Sequence, residues 1–342
     1  MESNFYIESK GPDDLVSDWY LPEDNPSQGF VYPGPYSIGE QDRLLPLARK
    51  LIEECQKRED VNKDAFILKV SDRLYRGQKI NSVQGVFYAL RRVANIIPDI
   101  NVLGLEPAVK QVLLHRRLST GGLIIVSGET GQGKSTTCAA SIKARMEKYG
   151  SFCLTVEDPP ELPLHGNHNK GRCIQTEVEQ GGFANALRTA MRSYPSVSGS
   201  MLYVGETRDS ETAAEVLRIV TNGHLVLTTL HGSDIVSSIK RFIALCIGKG
   251  LSEEEVKSTL SSSLRMVLHQ KLINMPPMQN RPARKKLETQ FLLSASSSTV
   301  VANKIRSNHV DTIVSEIQQQ RFKLDNQGLE ALMEDWNTRN SD

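Results

Sequence analysis

Between Val126 and Thr137 the chain reads V-S-G-E-T-G-Q-G-K-S-T-T, with Gly128, Gly133, Lys134 and Ser135 at the spacing of a phosphate-binding loop. That loop constrains the fold, because it works only between a buried strand and the start of a helix. Residues 123–126 form an apolar run that reads as the strand, and the alanine-rich stretch after Thr137 reads as the helix. Backbone N–H groups freed by the glycines would wrap phosphates, helped by the positive end of the helix. Lys134 would reach the β and γ phosphates of a nucleoside triphosphate, and the Ser135 hydroxyl would ligate Mg²⁺. The expected nucleotide-binding set is Gly128, Glu129, Thr130, Gly131, Gln132, Gly133, Lys134, Ser135, Thr136 and Thr137.

A chain of 342 residues has room for two or three domains. With 41 basic and 40 acidic residues the net charge is +1, which gives no global electrostatic footprint for nucleic acid, so direct nucleic-acid binding is not expected. Cys55, Cys138, Cys153, Cys173 and Cys246 are scattered without a C-x-x-C pair, which argues against zinc and against a disulfide framework and fits a reducing cytoplasm. No apolar run approaches the roughly 20 residues that span a bilayer, so membrane association is expected through partners.

Residues 1–40 are rich in proline and read as an irregular arm. Helical spacing over 40–57, strands at 65–70 and 83–90 with Arg73, Gly77 and Gln78 in turns, and a linker at 98–101 outline an N-terminal α+β domain over 41–105. Over 106–275, four apolar runs each end in polar residues: the phosphate loop, then Glu157, Asp158 and Glu161, then Gly205-Glu206, then His231. In an open parallel α/β sheet, ligands lie beyond the carboxyl ends of the strands, so these four endings should converge. Ser252 and Glu255 form a capping-box pattern, with Val256, Leu260, Leu264 and Val267 continuing at helical spacing, and residues 276–342 read as a mainly helical subdomain, with two helices about Asp325 to Gly328.

The four endings also carry a resemblance. V-S-G-E-T-G-Q-G-K-S-T-T, T-V-E-D-P-P-E, L-Y-V-G-E-T-R-D-S-E-T-A and N-G-H-L-V-L-T-T-L-H-G resemble, in order, the Walker A, Asp, Walker B and His boxes of the secretion ATPase superfamily, which includes PilT-like pilus motors and the type II and type IV secretion ATPases. The resemblance implies a RecA-like P-loop motor domain below a PAS-like N-terminal domain, a homo-hexamer, ATP and Mg²⁺ as ligands, and peripheral recruitment to inner-membrane secretion or conjugation machinery. The proline-rich arm, the divergent tail, the missing tetracysteine module and Ser193-Tyr194-Pro195-Ser196 in place of an acidic D-P-D element point to the DotB-like branch of type IVB secretion and TraJ-like conjugation ATPases. A PilT-type pilus motor and a nucleotide-dependent assembly switch are the alternatives.

Carried over by position, Glu206 is the Walker B acid that orients water, and the metal set is Ser135, Glu206 and Asp158. Which of Glu157, Asp158 and Glu161 serves the Asp box stays open, with Glu157 the catalytic candidate. His231, at the ligand end of its strand, is a candidate sensor of the γ phosphate. His224 lies about 23 Å away at the far end, seven strand residues earlier, so the two cannot share an ion; it serves either contact with a neighbouring segment or subunit or a satisfied structural role. Arg188 and Arg192, four apart on one helical face, are candidates for reaching nucleotide across subunits, with Arg91 and Arg92 behind them and Arg208 a partner for Asp209 or another carboxylate.

Overall fold

The computed structural model describes residues 16–32, 35–58, 66–94, 96–178, 182–194, 200–275, 284–294 and 299–334. Two compact units divide the chain: residues 1–96 with Asp158–Pro163, and residues 97–157 with 164–342.

In the first unit, β1 (Asp18–Pro22), β2 (Phe30–Tyr32), β3 (Tyr36–Ser37), β4 (Phe66–Val70), β5 (Arg73–Ser82) and β6 (Gly85–Val93) form an antiparallel sheet ordered β3-β2-β1-β6-β5-β4. Helix α1 (Leu45–Gln56) buries Leu45, Ala48, Leu51, Ile52 and Cys55, a stripe at helical spacing that packs with the sheet's apolar face. Two expectations change here. Residues 18–37, read as an arm, supply three strands, and Trp19 is 1% exposed in the core. The prolines misled: Pro22 closes β1 and Pro26 opens a 3₁₀ turn, so both bound elements instead of preventing them. Residues 73–78, read as turns, lie inside β5, where Gly77 lets the Phe66 ring pack against the backbone (a Cβ there would meet Phe66 Cε2 at 2.2 Å). The first residues of the arm lie outside the described residues.

The second unit is built on an eight-stranded sheet. Its elements are α2 (Pro107–Leu113), β7 (Gly122–Ser127), α3 (Lys134–Tyr149), β8 (Phe152–Glu157), β9 (Gly166–His168), β10 (Gly171–Glu177), α4 (Gly182–Arg192), β11 (Met201–Val204), α5 (Ser210–Val220), β12 (Leu225–Leu230), α6 (Ile235–Gly248), α7 (Glu253–Ser263), β13 (Leu264–Met275), β14 (Arg284–Leu293), α8 (Val300–Arg306) and α9 (Ile313–Leu332). The sheet order is β14-β13-β7-β12-β11-β8-β10-β9, parallel from β13 to β10 with an antiparallel strand at each edge. Every residue of β7, β11 and β12 is buried, as a sheet covered on both faces requires.

Helix α7 stops at Ser263, and the apolar positions from Leu264 onward belong to β13 instead of continuing a helix. Ser261 and Ser263 turn their hydroxyls onto the carbonyls of Ser258 and Thr259, a local competition that weakens the last turn. The tail likewise adds strand β14 to the large sheet before turning helical, and the expected pair of helices is present within α9, whose two helical runs meet at a break at Gly328 (φ 83°). Arg145 on α3, 1% exposed, donates to the carbonyls of Leu113 and His115 and to Ser119 Oγ, tying the phosphate-loop helix to the segment entering β7. Burial holds its pKa down to about 10, so it stays charged at neutral pH.

Replacing Trp19 by Ala should cost about 3–5 kcal/mol in urea unfolding, the usual cost of emptying a buried aromatic site. A change within about 0.5 kcal/mol, typical of surface positions, would mean that this segment is a loose arm after all.

Candidate nucleotide site

The parallel ladder brings all four predicted endings into one row. Ser127 at the end of β7 pairs with Leu230 on β12, Thr228 of β12 pairs with Val204 on β11, and Val204 pairs with Val156 on β8. Beyond these rungs stand the phosphate loop, His231, Glu206 and Glu157, from adjacent strands of one sheet edge.

Helix α3 starts at Lys134, directly after Gly133 in the left-handed region (φ 80°), so its first N–H groups face the loop. Lys134 is 8% exposed, and its ammonium donates to the carbonyls of Gly128 and Glu129. A buried cation resting on carbonyl oxygens suits an anion such as a phosphate group. The loop therefore fits the phosphates of a nucleotide.

Glu206 sits between two donors. His231 Nε2 lies 2.9 Å from Oε1, and Arg208 Nε donates to Oε2 at 2.5 Å. Arg208 thus pairs with Glu206, while Asp209 caps α5 by accepting from Thr212 N at 2.8 Å. Three buried threonines missed in the sequence fix this corner: Thr229 Oγ1 donates to Gly205 O, Thr207 N donates to Thr229 O, and the Thr207 and Thr228 hydroxyls meet at 2.8 Å. Neutral hydroxyls leave no periodic signal, which is why they were overlooked. Glu157 is 3% exposed, accepts from Gln175 Nε2 at 2.8 Å, and lies so close to Gly205 that a Cβ there would meet its Cγ at 3.2 Å.

Asp158 is exposed and opens the segment grouped with the first unit, where Glu161 lies 3.8 Å from Arg76. Within the second unit, Glu157 is thus the carboxylate of this run that stands in the row. Arg188 and Arg192 lie on α4, both exposed; Arg188 shares Glu215 with Arg218, each at 2.9 Å, instead of reaching the row. Arg91 pairs with Asp18 at 2.6 Å in the first unit, and Arg92 is half-buried there on β6. His224 is satisfied from neighbouring segments of its own chain: its Nδ1 meets Ser200 Oγ at 2.6 Å and its ring lies 4.5 Å from that of Tyr194. His269 on β13, missed because its strand was read as helix, has Nδ1 3.2 Å from Ser127 Oγ, beside the loop.

Burial lowers the pKa of His224, His231 and His269, and the nearby Lys134 ammonium lowers the last two further. All three are neutral near pH 7, so His231 Nε2 can donate to Glu206 as an uncharged imidazole. Below about pH 6.5 an unfolded histidine takes up a proton that its folded counterpart refuses, so this contribution to stability is complete above that pH and is lost as pH falls. The melting temperature should drop between pH 7.5 and 5.5, and the drop should shrink in His224→Gln; a melting temperature that rises on acidification would contradict the neutral assignment.

A family model described as "Type II/IV secretion system protein" matches residues 68–335. The chain is 32% identical over 268 residues to the uncharacterized protein YggR of Escherichia coli (strain K12), covering 75% of this chain and 77% of that one. It is 34% identical over 203 residues to the type IV pilus retractation ATPase PilT of Pseudomonas aeruginosa, covering 58% of this chain and 55% of that one, so it matches only about half the length of that relative. Among solved structures, that of the pilus retraction motor PilT with bound ADP is similar at a TM-score of 0.69 and 29% identity, covering 94% of this chain and 93% of that one. The ATPase DotB of Legionella pneumophila, at 0.64 and 20% identity over 88% of this chain and 84% of that one, shares the fold. With its phosphate loop, acidic strand ends and histidine in one row, the chain belongs to the type II/IV secretion system protein family and is a secretion ATPase.

Proposed function

We propose that the chain is the hexameric motor of a type IVB secretion or conjugative transfer machine, acting in the cytoplasm and recruited peripherally to inner-membrane components. The observation that carries this reading is the convergence of Lys134, Glu206 and His231 on one sheet edge. Phosphoryl transfer is accelerated chiefly by positioning and charge stabilisation, and these residues supply both. Lys134 would leave its loop carbonyls for the phosphates of ATP. Bound Mg²⁺ would neutralise phosphate charge, held by Ser135 with carboxylate support from the Glu206 and Glu157 strand ends; Asp158 follows Glu157 as the other Asp-box candidate. Glu206, with its two carboxylate oxygens fixed by His231 and Arg208, would orient the attacking water, and His231 would report the γ phosphate. Arg188 or Arg192 would act across a subunit boundary, with release from Glu215 as the step that arms Arg188. Among the described residues no helix is long and apolar enough to cross a membrane, in keeping with recruitment by partners.

A pilus motor is the second reading, favoured by the greater identity to PilT than to DotB. An assembly switch, in which hydrolysis is incidental, differs in one test. Glu206→Gln should keep ATP binding and ring formation while hydrolysis falls by about 10²–10³, the usual cost of removing one preorganised polar group. In cells carrying the cognate machine, transport should stop with it. Transport that survives in this variant would sink the motor reading and favour the switch.

A further inference from the structure

We infer that Gln132 and Gln270 form a latch that fastens the tip of the phosphate loop to β13, making both positioning residues that set how fast nucleotide product leaves. The inference rests on the nucleotide-binding reading above and assigns the Gln132 side chain a task other than touching phosphate.

Strand β7 ends at Ser127, opposite His269, so β13 runs on past its parallel neighbour. The backbone N–H of Leu272, left without a β7 rung, donates instead to Gln132 Oε1 at 2.5 Å. In return, Gln270 Nε2 donates to the Gln132 carbonyl at 2.6 Å. The side chain and the backbone of one loop residue are thus held by two residues of β13. At its other end the loop also lies close against this strand: a Cβ on Gly128 would come within 2.5 Å of Gln270 O, and Gly128 has φ 149°, where a side chain is strained.

Gln270 is 1% exposed, and its Oε1 has no hydrogen-bond partner among the described residues. Turning the amide over would satisfy nothing, because it would set Oε1 against the Gln132 carbonyl, so the amide orientation follows from the network. A buried glutamine that makes one bond and leaves an acceptor idle is a poor choice for stability alone. It makes sense where the single bond has a task, here the shape of the loop. Methionine fills the same volume without either polar atom, so Gln270→Met removes the bond and the idle acceptor together.

Release of a fluorescent N-methylanthraniloyl ADP from the full chain tests the latch by stopped flow. Gln132→Met and Gln270→Met should each speed release about fivefold, the worth of one net hydrogen bond. Gln132→Met removes the bond from Leu272 and Gln270→Met the bond to the Gln132 carbonyl, so the double variant, which frees the loop from both, should be faster than either single. Wild-type release rates in both singles, or a double variant no faster than the wild type, would overturn the latch. If Gln270→Met fails to fold, Gln132→Met and Gln132→Ser at the half-buried loop tip decide the matter by the same rates. Failure of the wild-type chain itself to bind the probe would instead bring down the nucleotide reading, and the latch with it.

Discussion

The parallel hydrogen-bond ladder from β13 through β7, β12 and β11 to β8 is the constraint on which the rest of this molecule depends. Parallel strands point their carboxyl ends the same way, so each chain segment that leaves the sheet on that edge delivers its first polar residues to the same place. Lys134, His231, Glu206 and Glu157 are far apart in sequence and come together only because their strands are neighbours in register. Burial of the strands on both faces holds the sheet together without itself choosing that register, since a slip by one residue would still bury apolar residues but would separate the polar ends.

On this frame, the site is built of bonds that restrain groups without neutralising them completely. Glu206 is held by one neutral donor, His231, and one cation, Arg208, which fixes both carboxylate oxygens in place. Lys134 rests on carbonyls that it can exchange for a stronger, charged partner. The threonine corner around Gly205 fixes the backbone from which Glu206 projects, and β13 fixes the loop from which Lys134 projects. Preorganised groups of this kind need little rearrangement when charge develops on a phosphate.

Much of this was legible from residues. Apolar runs ending in G-K-S, E-D, G-E and L-H announce both a buried parallel sheet and the edge on which its ligand lies. What escaped did so for physical reasons. Prolines at 22 and 26 punctuate strands as readily as they prevent them, so residues 18–37 looked irregular while Trp19 was seeding a core. Leu264 and Val267 continue the helical spacing of α7 by coincidence, although the serine-rich last turn ends the helix and β13 begins. That single misreading hid His269, Gln270 and Leu272, the residues that flank the phosphate loop. Arg188 sits where spacing put it, on an exposed helical face, but its Glu215 partner is contributed by another helix and leaves no local signal.

The central claim is that the row of Lys134, Glu206 and His231 hydrolyses ATP and is completed by a neighbouring copy of the chain. Its most direct test is ATP hydrolysis per subunit measured against protein concentration, with Lys134→Ala as the blank. Specific activity that climbs with concentration and then saturates is the predicted result, because sites shared between subunits exist only once the ring has formed. Activity that stays flat and well above the blank down to concentrations where sedimentation shows only monomers would contradict it.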